Sequence, residues 1–281
     1  MIDLHVHTNK SDGQLSPKEV VQRAKLKGIS LLAITDHDSV DGLAEAEEAS
    51  AVAELSFIPG IEISVNGNHE MHLLGYFIDR SDVDIIRMNE EFAILRDERE
   101  ERIYAWLAEK NVDIKKEMLR ENFSGRSVGR SHFARALVKG GYAHDFAEAF
   151  RKYLATPEFY MLDRPKVSPE YGIERIRNAG GVAVIAHPFS LNLDAEALDV
   201  MISKLVDAGL QGMECFYSTC SKKDTDLYVN LAQKYGLVVT GGSDFHGDEV
   251  KPGIEIGTGI DGSLCFNDLE IEEKLLRLRN R

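Results

Sequence analysis

Short β-rich runs alternate with helix-length amphipathic segments along most of this 281-residue chain, and that rhythm restricts the fold more than any other feature. After the opening run "MIDLHVHT" comes "SPKEVVQRAKLKG". There Ser16 is placed to cap, Pro17 to fill the first turn, Glu19 to complete a capping box and Gly28 to end the helix. "ISLLAIT" is β-rich and "DGLAEAEEASAVAEL" is helical. Further strands are predicted at "IEISV", "MHLLGYFI", "GVAVIAH", "GMECFY" and "GLVVTGG", with helices from Ser168 to Ala179, Asp194 to Ala208 and Lys222 to Tyr235. This spacing predicts a parallel sheet with crossover helices, closed as a barrel or open.

Between Ser81 and about Lys166 the alternation stops. "SDVDIIRMNEEFAILRDEREERIYAWLAEKN" reads as one long helix, and "SHFARALVKGG" and "HDFAEAFRKYLA" as two shorter ones. The expected organisation is an α/β domain made of residues 1–80 and 167–281, interrupted by a helical insertion at 81–166. The charge run from Arg96 to Arg102 reads as a solvated helix face with i,i+4 pairs and is assigned no function.

Composition narrows the partners. Apolar content of 43% and charged content of 28% are those of an ordinary globular protein. No apolar run approaches the roughly 20 residues of a membrane span, and Asp3 and His5 interrupt the place where a signal peptide would sit, so a cytoplasmic location without membrane contact is expected. Three cysteines, Cys215, Cys220 and Cys265, suggest neither a disulfide framework nor a thiolate zinc site. A formal charge of −14 argues against a grip on duplex nucleic acid but leaves room for a small anionic substrate at a local positive site.

Polar residues gather where strands run out. His5 and His7 share one face of the first strand by its period of two, with Leu4 and Val6 on the other. Asp12 follows in the loop, His37 lies in "ITDHD", Glu62 in "GIEIS" and His72 in "MHLLGY". His187 ends "VAVIAHP", and Asp244 and His246 end "VVTGGSDFH". In a parallel α/β fold the carboxyl ends of the strands share one face, so these residues converge. Six imidazoles and three carboxylates are costly to hold together without cations. Nine donors exceed the four to six of one ion and fit two or three, with Mn, Fe or Zn suited to mixed nitrogen and oxygen ligands. Three such ions add +6, taking the formal charge from −14 to −8 and leaving +3 at the site after three carboxylates.

The ordered set "DLHVHT", "SDG", "ITDHD", "PGIEIS", "HLLGY", "AHP" and "GGSDFH" resembles the polymerase-and-histidinol-phosphatase (PHP) family of metal-dependent phosphoesterases. The resemblance implies a distorted (β/α)7 barrel with a trinuclear site. It puts His5, His7, Glu62 and Asp244 on one metal, Asp12, His37 and His187 on a second, and Glu62, His72 and His246 on a third, with Glu62 as the bridge. Glu62, Asp244 and His246 are the residues expected to be catalytic, through a hydroxide bridging two metals. "GRSHFARALVKGGY" and "AFRKYL" further resemble a nucleotide and oligonucleotide phosphoesterase subset, although Arg130-Ser131-His132 stands where Arg-Pro-His is usual.

The expected activity is hydrolysis of phosphate esters on small anions: nucleotide 3′-phosphates or bisphosphates, short single-stranded oligonucleotides, or cyclic phosphodiesters. A histidinol-phosphatase-like monoesterase and a non-catalytic metal-stabilised module serving a partner are the alternatives. Arg130 and His132, at a helix start where free N–H groups and the dipole favour anions, are the expected substrate contacts. Arg126, Arg135, His69 and His144 read as ordinary surface groups, Asp36 and Asp38 as supports of His37 or turn caps, and "GTGIDG" as a loop. Gently purified protein is expected to carry two or three equivalents of Mn, Fe or Zn by elemental analysis; metal-free protein indifferent to added Mn contradicts the site.

Overall fold

The computed structural model describes residues 1–67, 70–120 and 128–279. Seven strands form one sheet in chain order: β1 Ile2–Asp3, β2 Leu31–Ile34, β3 Ser56–Val65, β4 Met71–Tyr76, β5 Val182–Ile185, β6 Gly212–Tyr217 and β7 Val238–Gly242. Helices α1 Pro17–Leu26 and α2 Leu43–Ala53 link the first three strands. Helices α3 Val83–Glu109, α4 Lys116–Arg120, α5 Arg130–Lys139, α6 Phe146–Ala149, α7 Pro157–Tyr160 and α8 Pro169–Asn178 lie between β4 and β5. Helices α9 Ala195–Asp207 and α10 Lys222–Tyr235 link the last three strands, and α11 Ile271–Arg279 follows the short hairpin β8 Ile254–Glu255 and β9 Gly259–Ile260. The "GTGIDG" stretch is therefore a tight hairpin and its exit, with Gly257, Gly259 and Gly262 all at positive φ.

Local chemistry sets the boundaries as the sequence predicts. Ser16 and Glu19 form the capping box of α1, Ser168 and Asp194 cap α8 and α9, and Gly28 exits α1 in the left-handed region. One strand departs from the expected parallel order: β4 runs antiparallel to both β3 and β5, whereas the other pairs are parallel. Its cause is connection length. Five residues separate β3 from β4, too few for a crossover.

The first strand also departs from simple alternation. Leu4 packs in the cluster with Leu31, Ala33, Val182 and Val184, but Val6 packs in the other cluster with Leu32, Ile34 and Ile185. The chain is bonded on both sides here. Leu4 N–H donates to Gly241 O (3.2 Å) and His7 N–H to Phe245 O (2.9 Å), while Val6 O accepts the Thr35 N–H (2.9 Å) just past β2, so the segment lies between β2 and the continuation of β7 and nearly closes the barrel.

Helix α3 belongs to two cores. Ile85, Met88 and Phe92 pack with the barrel helices, while Ile103 and Leu107 pack with Phe133, Leu137, Leu154 and Phe159 in a separate cluster between β4 and β5. Phe133 is fully buried at the centre of that second cluster. Phe133→Ala is expected to cost about 3–5 kcal/mol of stability in urea denaturation, through lost transfer energy and the cavity left behind; a cost under about 1 kcal/mol shows that the cluster is not close-packed.

Candidate active site

The seam between the first and last strands carries four of the expected ligands. Asp244 N–H donates to His5 O (2.8 Å) and Gln14 N–H to His246 O (2.7 Å), which draws the Asp12 loop to the end of β7. The approach is close enough to require glycine at position 242, where a Cβ would lie 2.3 Å from that of His5.

Glu62 stands at the centre, fully buried on β3. Its Oε1 is 2.9 Å from His72 Nδ1 and 2.9 Å from His187 Nε2. Its Oε2 is 3.0 Å from His37 Nδ1, 3.1 Å from His7 Nε2 and 3.3 Å from His5 Nε2. Asp12 Oδ1 lies 3.1 Å from His246 Nε2, and Asp244 Oδ1 lies 3.3 Å from His7 Nε2. All nine expected residues thus come together.

Their partition differs from the one the resemblance implies. His246 joins Asp12, His37 and His7, its ring stacked 4.0 Å from that of His7, and His187 joins Glu62 and His72. Strand order explains the exchange: β5, which ends at His187, pairs with β4, which bears His72, whereas β7 lies along the first strand.

Hydrogen bonds on the far ring nitrogens fix the tautomers. His5 Nδ1 faces Glu214 Oε1 (3.0 Å) and His246 Nδ1 faces Asp244 O (2.9 Å), both pure acceptors, so each Nδ1 carries the proton. His187 Nδ1 lies 2.8 Å from Ser190 Oγ, whose own proton is directed at Glu70 O (2.8 Å) or His187 O (2.9 Å). The Nε2 lone pairs are left pointing inward, and His5 Nε2 and His7 Nε2 face one another at 3.1 Å. Asp12 Oδ1, Glu62 Oε2 and His37 Nδ1 are buried without a hydrogen bond among the described residues. Ring nitrogens converging on carboxylate oxygens call for a shared cation, a proton in the metal-free protein, and this imidazole and carboxylate set fits divalent metal ions.

The electrostatics point the same way. Burial opposes ionisation of Glu62, but His37, His5 and His72 reverse this and hold its carboxyl well below the usual range. Burial also opposes charge on the histidines; Glu214, Glu62 and Asp244 nevertheless raise His5 well above the ordinary value, and Asp244 and Glu62 raise His7 to about 9. On His37 burial wins, and its affinity for a proton falls well below normal.

Supporting residues occupy the next layer. Asp36 accepts from Thr8 N (2.8 Å), Thr8 Oγ1 (2.6 Å) and Ser11 Oγ (2.5 Å), fixing the loop that leads to Asp12. Asp38, at φ 51°, accepts from Ser64 N (2.8 Å) and also pairs with Arg96 and Arg164. Burial pushes its carboxyl up, and the two guanidiniums hold it well below the usual range. Tyr217 and Lys251 both donate to Asp244 Oδ2 at 2.5 Å, leaving Oδ1 to face the imidazoles.

A cavity of about 660 Å³ opens over the cluster, and Arg96, Arg99, Arg130, Arg164 and Lys166 line it. Arg96 and Arg99 correct the expectation of a solvated charge run: both side chains are only 12% exposed. They continue the stripe Ile85, Asn89, Phe92 that α3 buries toward Ile103 and Leu107, a spacing of three and four that their charge masks. Arg130 reaches the cavity, paired with Glu70. His132 does not line it. Its Nδ1 accepts the Gly129 N–H (2.9 Å), so the imidazole occupies the very helix-start donor expected to bind an anion, and burial lowers its pKa to about 4. Ser131 instead faces the site, donating to Asp12 Oδ2 (3.0 Å).

Arg135 is largely buried beside Glu249 rather than solvated, and His144 is exposed as expected. Arg126 and His69 lie outside the described residues. Glu214, Tyr217 and Lys251 escaped the sequence reading. Only Glu214 had a signal, a lone carboxylate inside the apolar strand "GMECFY".

A profile of the PHP domain matches residues 3–161, more than half of the chain. The chain belongs to the PHP family. It is 35% identical over 247 residues to the 3′,5′-nucleoside bisphosphate phosphatase of Chromobacterium violaceum, covering 87% of each chain. It is 34% identical over 269 residues to the 5′-3′ exoribonuclease Rnm of Escherichia coli, covering 92% of this chain and 91% of the other. A Bifidobacterium adolescentis structure described as a metal-dependent phosphoesterase superposes with a TM-score of 0.86 at 28% identity, covering 99% of this chain and 96% of the other. As a PHP protein with this donor set, the chain is a metal-dependent phosphoric ester hydrolase.

The raised histidines give a pH test. A His7 pKa of about 9 against an ordinary 6.5 means that, without metal, this proton stabilises the fold fully below pH 6.5 and is lost as pH rises through 9. His5 and His187 are shifted in the same direction. The melting temperature of chelator-stripped protein is expected to fall between pH 6.5 and 9, and that of metal-loaded protein to change less. Identical pH slopes for the two forms contradict the site.

Proposed function

We propose that the chain hydrolyses phosphate esters on small nucleotide-like anions: nucleotide 3′-phosphates or bisphosphates, short single-stranded oligonucleotides, or cyclic phosphodiesters. The observation that carries the proposal is the pairing, in one cavity, of a nine-residue imidazole and carboxylate cluster with a wall of arginine and lysine side chains. The relatives' names, a nucleoside bisphosphate phosphatase and an exoribonuclease, support the same substrate class.

His5, His7, Asp12, His37, Glu62, His72, His187, Asp244 and His246 would hold two or three divalent ions, Mn, Fe or Zn. Such ions supply Lewis acidity toward a phosphoryl oxygen and lower the pKa of water. The protein's part is orientation. Glu62 presents both oxygens to different imidazoles and so bridges the cluster, while Tyr217 and Lys251 hold Asp244 in one orientation. Arg130, 5.8 Å from the centroid of Phe150, is placed for a bidentate grip on an anion. Phe189 and Tyr217, 4.8 Å apart by centroids, offer a face for a base.

The test is a screen of nucleoside monophosphates, bisphosphates, cyclic phosphates and short oligonucleotides with Mn, Fe or Zn, measuring released phosphate and organic product separately. Turnover of at least one class is expected, with Glu62→Gln reducing it by at least roughly a hundredfold and lowering metal content. No hydrolysis of any class, or near-normal turnover in Glu62→Gln at full metal content, refutes the reading.

A further inference from the structure

The segment between β4 and β5 touches the imidazole and carboxylate cluster through the first turn of α5. Ser131 is only 6% exposed, and its hydroxyl donates to Asp12 Oδ2 at 3.0 Å. Gly129, one residue before the helix, packs on the same side chain: a Cβ there would lie 3.4 Å from that of Asp12. Arg135 shares a face of α5 with Ser131 by the spacing of four, and its Nε is 3.6 Å from Glu249 Oε2. Glu249 N–H in turn donates to Gln14 Oε1 (3.2 Å), and Gln14 N–H to His246 O (2.7 Å). One face of α5 therefore lies across both loops of the seam, the loop that carries Asp12 and the loop that follows His246.

The two carboxylates beside His246 are held in the same way. Asp244 accepts on Oδ2 from Tyr217 and Lys251 and presents Oδ1 to His7 and His246. Asp12 accepts on Oδ2 from Ser131 and presents Oδ1, which is 3.1 Å from His246 Nε2 and buried without a hydrogen bond among the described residues. His7, Asp12, His37 and His246 each offer one ligand atom, and these atoms all lie within 4.8 Å of one another. A hydroxyl on one carboxylate oxygen decides which oxygen faces the ion and removes a rotation that binding would otherwise have to freeze. For Asp244 the donors come from β6 and the loop after β7; for Asp12 the donor comes from α5. A proline in the place of Ser131, as in the Arg-Pro-His run, has no side-chain donor, so this link belongs to the present sequence.

We infer that Ser131 is a positioning residue for the ion held by His7, Asp12, His37 and His246, and that through it the occupation of this group and the docking of α5 stabilise each other. A coupling free energy acts in both directions: a docked α5 raises the affinity for the ion, and the ion holds α5 in place. Helix α5 also carries Arg130 into the cavity wall, so loading of this group helps to order a wall side chain. The inference rests on the assignment of these four residues to a divalent ion and adds to it a link between that ion and α5.

In the experiment, chelator-stripped protein is titrated with Mn by calorimetry, and hydrogen exchange of the α5 amides is followed with and without Mn. Wild type is expected to take up two or three equivalents, with slower exchange in α5 once they are bound. Ser131→Ala and Ser131→Pro should weaken one equivalent by roughly 10- to 100-fold and leave the others within about twofold, and Mn should then slow α5 exchange less. Proline is tolerated at this first-turn position, where the N–H makes no intrahelical bond. Ser131→Thr, which keeps the hydroxyl, should bind Mn like wild type. Melting temperatures of the stripped proteins separate an effect on ion binding from a loss of fold. Unchanged binding of every equivalent in Ser131→Ala and Ser131→Pro overturns the inference, as does a loss that falls equally on all equivalents or that Ser131→Thr shares in full. A wild type that takes up no Mn, Fe or Zn instead refutes the metal assignment, and the inference falls with it.

Discussion

One buried carboxylate surrounded by five imidazoles is the constraint around which the structure is arranged. Glu62 lies within 3.3 Å of His5, His7, His37, His72 and His187. Because those residues come from the first strand, the loop after β2, β4 and the end of β5, the barrel must present four separate backbone segments to one point. The irregularities of the fold fall where that demand is greatest. The antiparallel β4 lets His72 enter from a strand's beginning while the others enter from strand ends. Asp38, His187 and Asp244 adopt positive φ without being glycine, a conformation that persists where surrounding contacts over-determine it.

Second-layer contacts turn a crowd of polar groups into an ordered donor set. Glu214 is the clearest case: one oxygen holds the His5 ring and the other accepts the His187 backbone N–H at 2.7 Å, so a single carboxylate orients two neighbouring segments. Asp36 does the same for the loop that carries Asp12. Both are buried; Glu214 makes the His5 ring present Nε2 to the cluster, and Asp36 holds the loop backbone in place.

The strand and helix rhythm was legible because each boundary carries its own local chemistry, as with Ser16 and Glu19 or Ser168. The nine donors were legible because they sit at strand ends in short motifs. Partition among them was not, since it depends on which strands are neighbours, and sequence order does not reveal that β4 reverses. Arg96 and Arg99 were misread because charge at i and i+3 on a helix ordinarily signals solvent; the apolar positions before and after them carried the contrary signal. For His132, the choice between binding a ligand and capping its own helix depends on a side-chain rotamer, which composition and spacing do not specify.

The seam between the first strand and β7 has a consequence for how the protein is made. Residues near position 5 and near position 245 must meet before four of the donors face one another, so this closure joins segments as much as 240 residues apart and carries a large loop-closure entropy. A chain still lacking β7 has no such meeting place, however well its earlier helices are formed. An ion that needs Asp244 or His246 would therefore be held only once the seam has closed, and such an ion would act by mass action to keep the two ends of the seam from parting.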